Sequence, residues 1–119
     1  MKINLIVIRT NDLEACANFY QKLGISFDYH RHGKGPFHYA AELEGTVFEI
    51  YPLLKNQEKP DTSLRLGFDV PELEKLIELL KKDNVEILKE PTFSAFGYSA
   101  IIRDVDGRKI ELKAIKPIK

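Results

Sequence analysis

Cysteine, tryptophan, histidine and net charge are what this chain has little of. It has one cysteine, no tryptophan, three histidines, and basic and acidic residues in equal number at 18 each. A single cysteine closes no internal disulfide, so the fold has to be held by its core. Cys16 falls inside a helical pattern and is read as a buried packing residue. Zero net charge argues against a general nucleic-acid binder, which carries a basic excess. No apolar run approaches the roughly 20 residues that span a bilayer. Met1-Lys2 leads into a short alternating run, not into a signal peptide with a small-residue cleavage site. A cytoplasmic protein with no nucleic-acid and no membrane partner is expected.

What is present is an ordinary globular balance, 44% hydrophobic and 30% charged over 119 residues, which suits one domain. Asp106-Gly107 reads as a two-residue hairpin turn with both residues at positive φ. It joins strands expected at 98–103 and 109–115. Upstream, residues 3–9 alternate as a strand. Thr10-Asn11-Asp12-Leu13 follows as a helix start, with Asn11 or Thr10 as the cap. Leu13, Cys16, Ala17, Tyr20 and Leu23 form the apolar stripe of that helix, and Gly24 ends it. Strands are expected at 25–31, 37–43 and 46–53, the last two joined at Glu44-Gly45.

The pattern then restarts. Residues 64–70 read as a strand, Pro71 sits in a first helical turn, and Leu73, Leu76, Ile77 and Leu80 make a second stripe that Asn84 closes. Residues 85–89 are a strand, 90–97 a loop, and 116–119 a fraying tail. Asp12-Leu13-Glu14 and Glu72-Leu73-Glu74 occupy corresponding places, as do Gly24 and Asn84. The expectation is one domain, 1–119, made of βαβββ modules 1–54 and 63–115 with a solvated linker at 55–62. Alternation gives each sheet an apolar, helix-facing side: Ile6, Ile8, Phe48 and Ile50, then Leu66, Phe68, Ile110 and Leu112. The other side is mixed: Leu5, Val7, Arg9, Val47, Glu49 and Tyr51, then Arg65, Gly67, Asp69, Lys109, Glu111 and Lys113.

Two segments carry a resemblance. Asp12-Leu13-Glu14 with Phe19-Tyr20-Gln21-Lys22-Leu23-Gly24, and Asp104-Val105-Asp106-Gly107-Arg108-Lys109-Ile110-Glu111-Leu112, stand in the repeated order described. Together they resemble the vicinal oxygen chelate superfamily of glyoxalase I, extradiol dioxygenases, fosfomycin-resistance thiol transferases, methylmalonyl-CoA epimerase and bleomycin-resistance proteins. The resemblance implies an α+β fold in which two βαβββ modules form curved mixed sheets around a cleft, and it implies a homodimer.

In the metal-dependent members, four cleft-facing side chains from the first and last strand of each module hold one divalent ion. Those positions fall on Leu5, Glu49, Arg65 and Glu111. Leucine has no donor atom and arginine is a permanent cation. Two carboxylates without an imidazole make a poor transition-metal site. No metal is therefore favoured as cofactor, with a divalent ion on Glu49 and Glu111 as the alternative. Arg65 is expected where the ion would lie, its guanidinium bridging Glu49 and Glu111. In an enzymatic reading, Glu49 or Glu111 is the general base and Arg65 the oxyanion partner.

His30 and His32 share a strand face beside the Gly-rich stretch 32–36 and are read as solvated. His38, alternating with Tyr39, is read as a ligand contact, with Tyr51, Tyr98 and Lys109. Phe96, in the 90–97 loop, is placed to cap the cleft. The expected function is a glyoxalase/bleomycin-resistance-like protein that binds an unidentified small molecule without a complete metal site. The alternative is a divalent-metal-dependent lyase, isomerase, thiol transferase or dioxygenase, and the residues leave open whether the chain is an enzyme.

Overall fold

A computed structural model describes residues 1–115; the tail expected to fray at 116–119 lies outside them. The chain divides into two compact units, Met1–Asp61 and a second beginning at Thr62. Each carries a four-stranded mixed sheet and one helix, an α+β arrangement.

The first unit runs β1 (Leu5–Thr10), α1 (Leu13–Lys22), β2 (Asp28–His30), β3 (His38–Leu43) and β4 (Thr46–Pro52), with sheet order β1-β4-β3-β2. β1 pairs in parallel with β4, and the other neighbours are antiparallel. The helix begins because the Asp12 carboxylate accepts from the Ala15 N–H at 3.0 Å. Asp12, not Asn11 or Thr10, is thus the cap. Thr10 still belongs to the strand, and its hydroxyl accepts from the Asp12 N–H at 3.2 Å. Cys16, Ala17, Phe19 and Tyr20 are the buried face of α1. Gly24 ends it at φ 104°, a conformation that a Cβ makes costly. Glu44 and Gly45, at φ 49° and 90°, form the two-residue turn between β3 and β4.

The core of this unit is aromatic. Tyr20 meets Phe48 edge to face at 5.2 Å, and Phe27 lies 6.1 Å from Phe48. Ile8, Ala41 and Ile50 share that buried side of the sheet.

The second unit repeats the order: β5 (Leu66–Val70), α2 (Leu73–Lys82), β6 (Ile87–Ser94), β7 (Gly97–Arg103) and β8 (Lys109–Ala114), arranged β5-β8-β7-β6 with β5 and β8 parallel. Asn84 takes φ 61° where the first unit has Gly24. Glu72 occupies the cap position of α2 without a side-chain bond, so Pro71 lies just outside the helix. Leu73, Ile77 and Leu80 are buried against β6 and β8.

Two expectations are corrected here. Most of the 90–97 loop is strand, because β6 runs to Ser94. Its register against β7 shifts between Lys89 and Thr92, the stretch that contains Pro91. Proline donates no ladder hydrogen bond, and β6 ends its sheet, where that loss is tolerated. The Asp106-Gly107 turn is also longer than two residues. Arg103 pairs with Lys109, which leaves 104–108 as the loop, and only Gly107 of the two has positive φ, at 102°. The cause is Asp104, whose Oδ1 accepts from the N–H groups of Asp106 and Arg108 at 2.9 and 3.0 Å. Among the described residues, no helix is long and apolar enough to cross a membrane.

Candidate functional site

The mixed side of the first sheet brings its polar residues into a row. In register, Arg9 on β1 pairs with Tyr51 on β4, and His38 on β3 pairs with His30 on β2. Tyr39 opposite Ile50 sets His38 beside Tyr51. Strand alternation then sends all four side chains to the side away from α1.

His38 is the centre of the row. It is 1% exposed, and its ring stacks on Tyr51 at 4.1 Å and 9°. The Arg9 guanidinium lies 5.0 Å from the centre of the Tyr51 ring and donates to the Pro52 carbonyl at 3.0 Å. His38 Nδ1 is 3.2 Å from the Pro36 carbonyl oxygen. A carbonyl only accepts, so in this contact Nδ1 is the donor and Nε2 is the ring nitrogen left to meet another group. Nε2 has no hydrogen-bond partner, the one such buried side-chain nitrogen or oxygen among the described residues. Glu49 Oε2 stands 3.5 Å from it. A proton or a cation held between this nitrogen and the carboxylate would satisfy both atoms. Leaving a buried polar atom unpaired costs about 1–3 kcal/mol, which the fold bears at this one place.

His30 and His32 are not separate from this centre: the solvated reading holds for His32 and is corrected for His30, which is half-buried. Their ring centroids lie 4.6 and 5.2 Å from that of His38 and 5.0 Å from each other. His30 is half-buried and His32 exposed. The signal was available: His30 and His38 are equidistant from Lys34 in the Gly-Lys-Gly turn, so a symmetric hairpin pairs them.

The positions that would hold the superfamily's ion do not form a donor set. Leu5 is hydrocarbon, 52% exposed. Glu49 is the carboxylate beside His38, and the β1 residue opposite it is Val7. Arg65 is exposed and precedes the first residue of β5. Glu111 on β8 is half-buried opposite Gly67 and has no ion-pair partner among the described residues. Of the bridge expected from Arg65 to Glu49 and Glu111, the Glu111 half is absent among the described residues, and Glu49 stands beside His38 instead. An apolar side chain and a cation at two of four positions do not fit a divalent ion.

The remaining residues read as ligand contacts are dispersed over the second unit. Lys109 is exposed at the start of β8. Phe96 is 83% exposed in the β6–β7 turn. Tyr98 shares the helix-facing side of β7 with Ala100 and Ile102, opposite to Glu111. Its hydroxyl donates to Glu74 Oε1 on α2 at 2.6 Å, beside a groove of about 390 Å³ that also takes in Lys75, Glu90 and Pro91. That groove is lined by charged helix residues and holds none of the histidines.

The hydrogen bond to Glu74, and secondarily burial, raise Tyr98 above the ordinary tyrosine value. A raised folded-state value means that the contribution is complete below about pH 10 and is lost as pH climbs through the folded-state ionisation. Wild type is therefore expected to lose more stability on the alkaline limb than Tyr98→Phe, as measured by urea unfolding from pH 8 to 11. Parallel curves would contradict this.

The family model of the Glyoxalase/Bleomycin resistance protein/Dioxygenase superfamily matches residues 2–112. No curated protein matches the chain. Among solved structures, an antibiotic-binding protein, TnmS3 from Streptomyces sp. CB03234, is similar at TM-score 0.75 and 20% identity, covering 99% of this chain and 97% of its own. A glyoxalase/bleomycin resistance protein/dioxygenase family enzyme from Burkholderia phytofirmans PsJN gives TM-score 0.74 at 18% identity, over 98% and 100%. An integron cassette protein from V. cholerae gives 0.73 at 22%, over 98% and 96%. At these identities the structures speak for the fold alone, whereas the family match spans nearly the whole sequence. The chain belongs to the Glyoxalase/Bleomycin resistance protein/Dioxygenase superfamily.

Proposed function

We propose that this protein binds a small, planar organic molecule on the mixed side of its first sheet, and that it does so without an ion at the superfamily's usual positions. The observation that carries the reading is the buried His38 ring, stacked on Tyr51 and retaining an unpartnered Nε2. Small-molecule sites combine apolar or aromatic walls with a few fixed polar groups. Here Tyr51, backed by the buried His38 ring, supplies the aromatic wall, and Glu49 beside it supplies the polar atoms. The similarity to an antibiotic-binding protein supports a binding role. The homodimer expected from the resemblance is part of the proposal.

The test is a thermal-shift screen of aromatic hydroxy compounds, quinones and polycyclic aromatic drugs against wild type and Tyr51→Ala. A saturable rise in melting temperature in wild type, absent in Tyr51→Ala, is expected. No stabilising compound, or one that stabilises both proteins equally, would overturn the reading.

A further inference from the structure

We propose that His30, His32 and His38 form a divalent-metal site of the zinc or nickel class, with Glu49 as its adjacent carboxylate. Of the four positions where the superfamily holds its ion it shares Glu49 alone, and none of its three imidazoles falls on them. One ligand atom from each histidine can be chosen so that all three lie within 4.8 Å of one another. Tetrahedral zinc with nitrogen ligands at about 2.05 Å holds its donors about 3.3 Å apart. The 3.5 Å between His38 Nε2 and Glu49 Oε2 is close to that edge length.

His38 is already set as a ligand. Its Nδ1 faces the Pro36 carbonyl, the outer-shell contact that aims metal-binding imidazoles and fixes their tautomer. Its Nε2 is buried and otherwise without a hydrogen-bond partner. The other two ligands can close the remaining distance. His30 lies on a three-residue strand at the end of the sheet, and His32 is exposed in the segment between β2 and β3. Three imidazoles favour zinc, nickel or copper over magnesium or calcium, which prefer oxygen donors. One carboxylate nearby offsets half the charge of the ion. Three nitrogens and the Glu49 oxygen make a closed four-coordinate set, the arrangement of structural zinc sites.

The site shares His38 with the proposed ligand face, but its test uses metal alone and does not depend on any organic molecule binding. Untagged protein stripped with EDTA is titrated calorimetrically with ZnCl₂ and NiCl₂. One equivalent bound in the micromolar range or tighter is expected. His30→Ala and His32→Ala should each weaken it more than about tenfold. His38→Phe should abolish binding while keeping the wild-type circular dichroism, because its ring still stacks on Tyr51 and leaves no unpaired nitrogen. No binding by wild type at hundreds of micromolar would overturn the proposal. So would binding retained by a His30→Ala/His32→Ala double variant. Loss in Glu111→Gln with binding retained in the histidine variants would return the ion to the superfamily's positions and also refute the site.

Discussion

Asp104→Ala is expected to destabilise the protein by about 3–5 kcal/mol, because it strips one partner from a buried charge. Arg108 is 1% exposed, and its Nη1 lies 3.0 Å from Asp104 Oδ2 and 2.8 Å from Asp106 Oδ2. Burial by itself would lower the Arg108 pKa, yet the hydrogen bonds and charges of the two aspartates outweigh it and raise the value above the usual arginine range. Asp104 also shapes the loop by accepting two backbone N–H groups. The alanine variant loses charge and turn together. Asp104→Asn keeps an oxygen for those N–H groups and leaves Asp106 on Arg108, so its loss should be about 1–2 kcal/mol. Urea unfolding followed by circular dichroism separates the two. An alanine variant within about 1 kcal/mol of wild type would show that the ion pair contributes little beyond its own desolvation.

Phe48→Ala should cost about 3–5 kcal/mol for a different reason, the cavity left by a fully buried ring. Phe48 is 1% exposed, lies between Ile6 and Ala41 in the sheet, and meets both Tyr20 and Phe27. Phe48→Leu keeps most of the volume but loses the edge-to-face contacts, and about 1–1.5 kcal/mol is expected. The same unfolding curves check both. Equal losses for leucine and alanine would mean that ring geometry, not volume, dominates at this position. Domains of this kind are typically stable by about 5–15 kcal/mol, so the alanine variant should be purified in the cold.

Much of this architecture was legible from alternation and punctuation. Period-two patterns marked the strands, and the helix-ending Gly24 and Asn84 marked the repeat, since both positions require a left-handed backbone. Helix capping was less legible. Thr10, Asn11 and Asp12 are all good caps by chemistry, and the choice depended on how far β1 extends. The 90–97 stretch misled because Pro91 looks like a loop residue until its strand is known to end a sheet. The site was hidden for a related reason. His30, His32 and His38 share no local motif, and only the hairpin register brings them together. Glu49 was legible as the odd acid in an apolar strand and His38 as a ligand contact, but that the two stand side by side was not. Arg65 was misplaced because counting from the repeat set it in β5, which starts one residue later.

One end of each sheet, opposite β1 and β5, bears on how copies of this chain meet in concentrated solution. β2, at the end of the first sheet, is three residues long, and β6, at the end of the second, is interrupted by Pro91 and two register shifts. Neither offers the long, flat row of unpaired N–H and C=O groups that templates cross-strand aggregation. The irregularity around Pro91 that hid the second half of β6, like the shortness of β2, thus also keeps these two edges from recruiting another molecule.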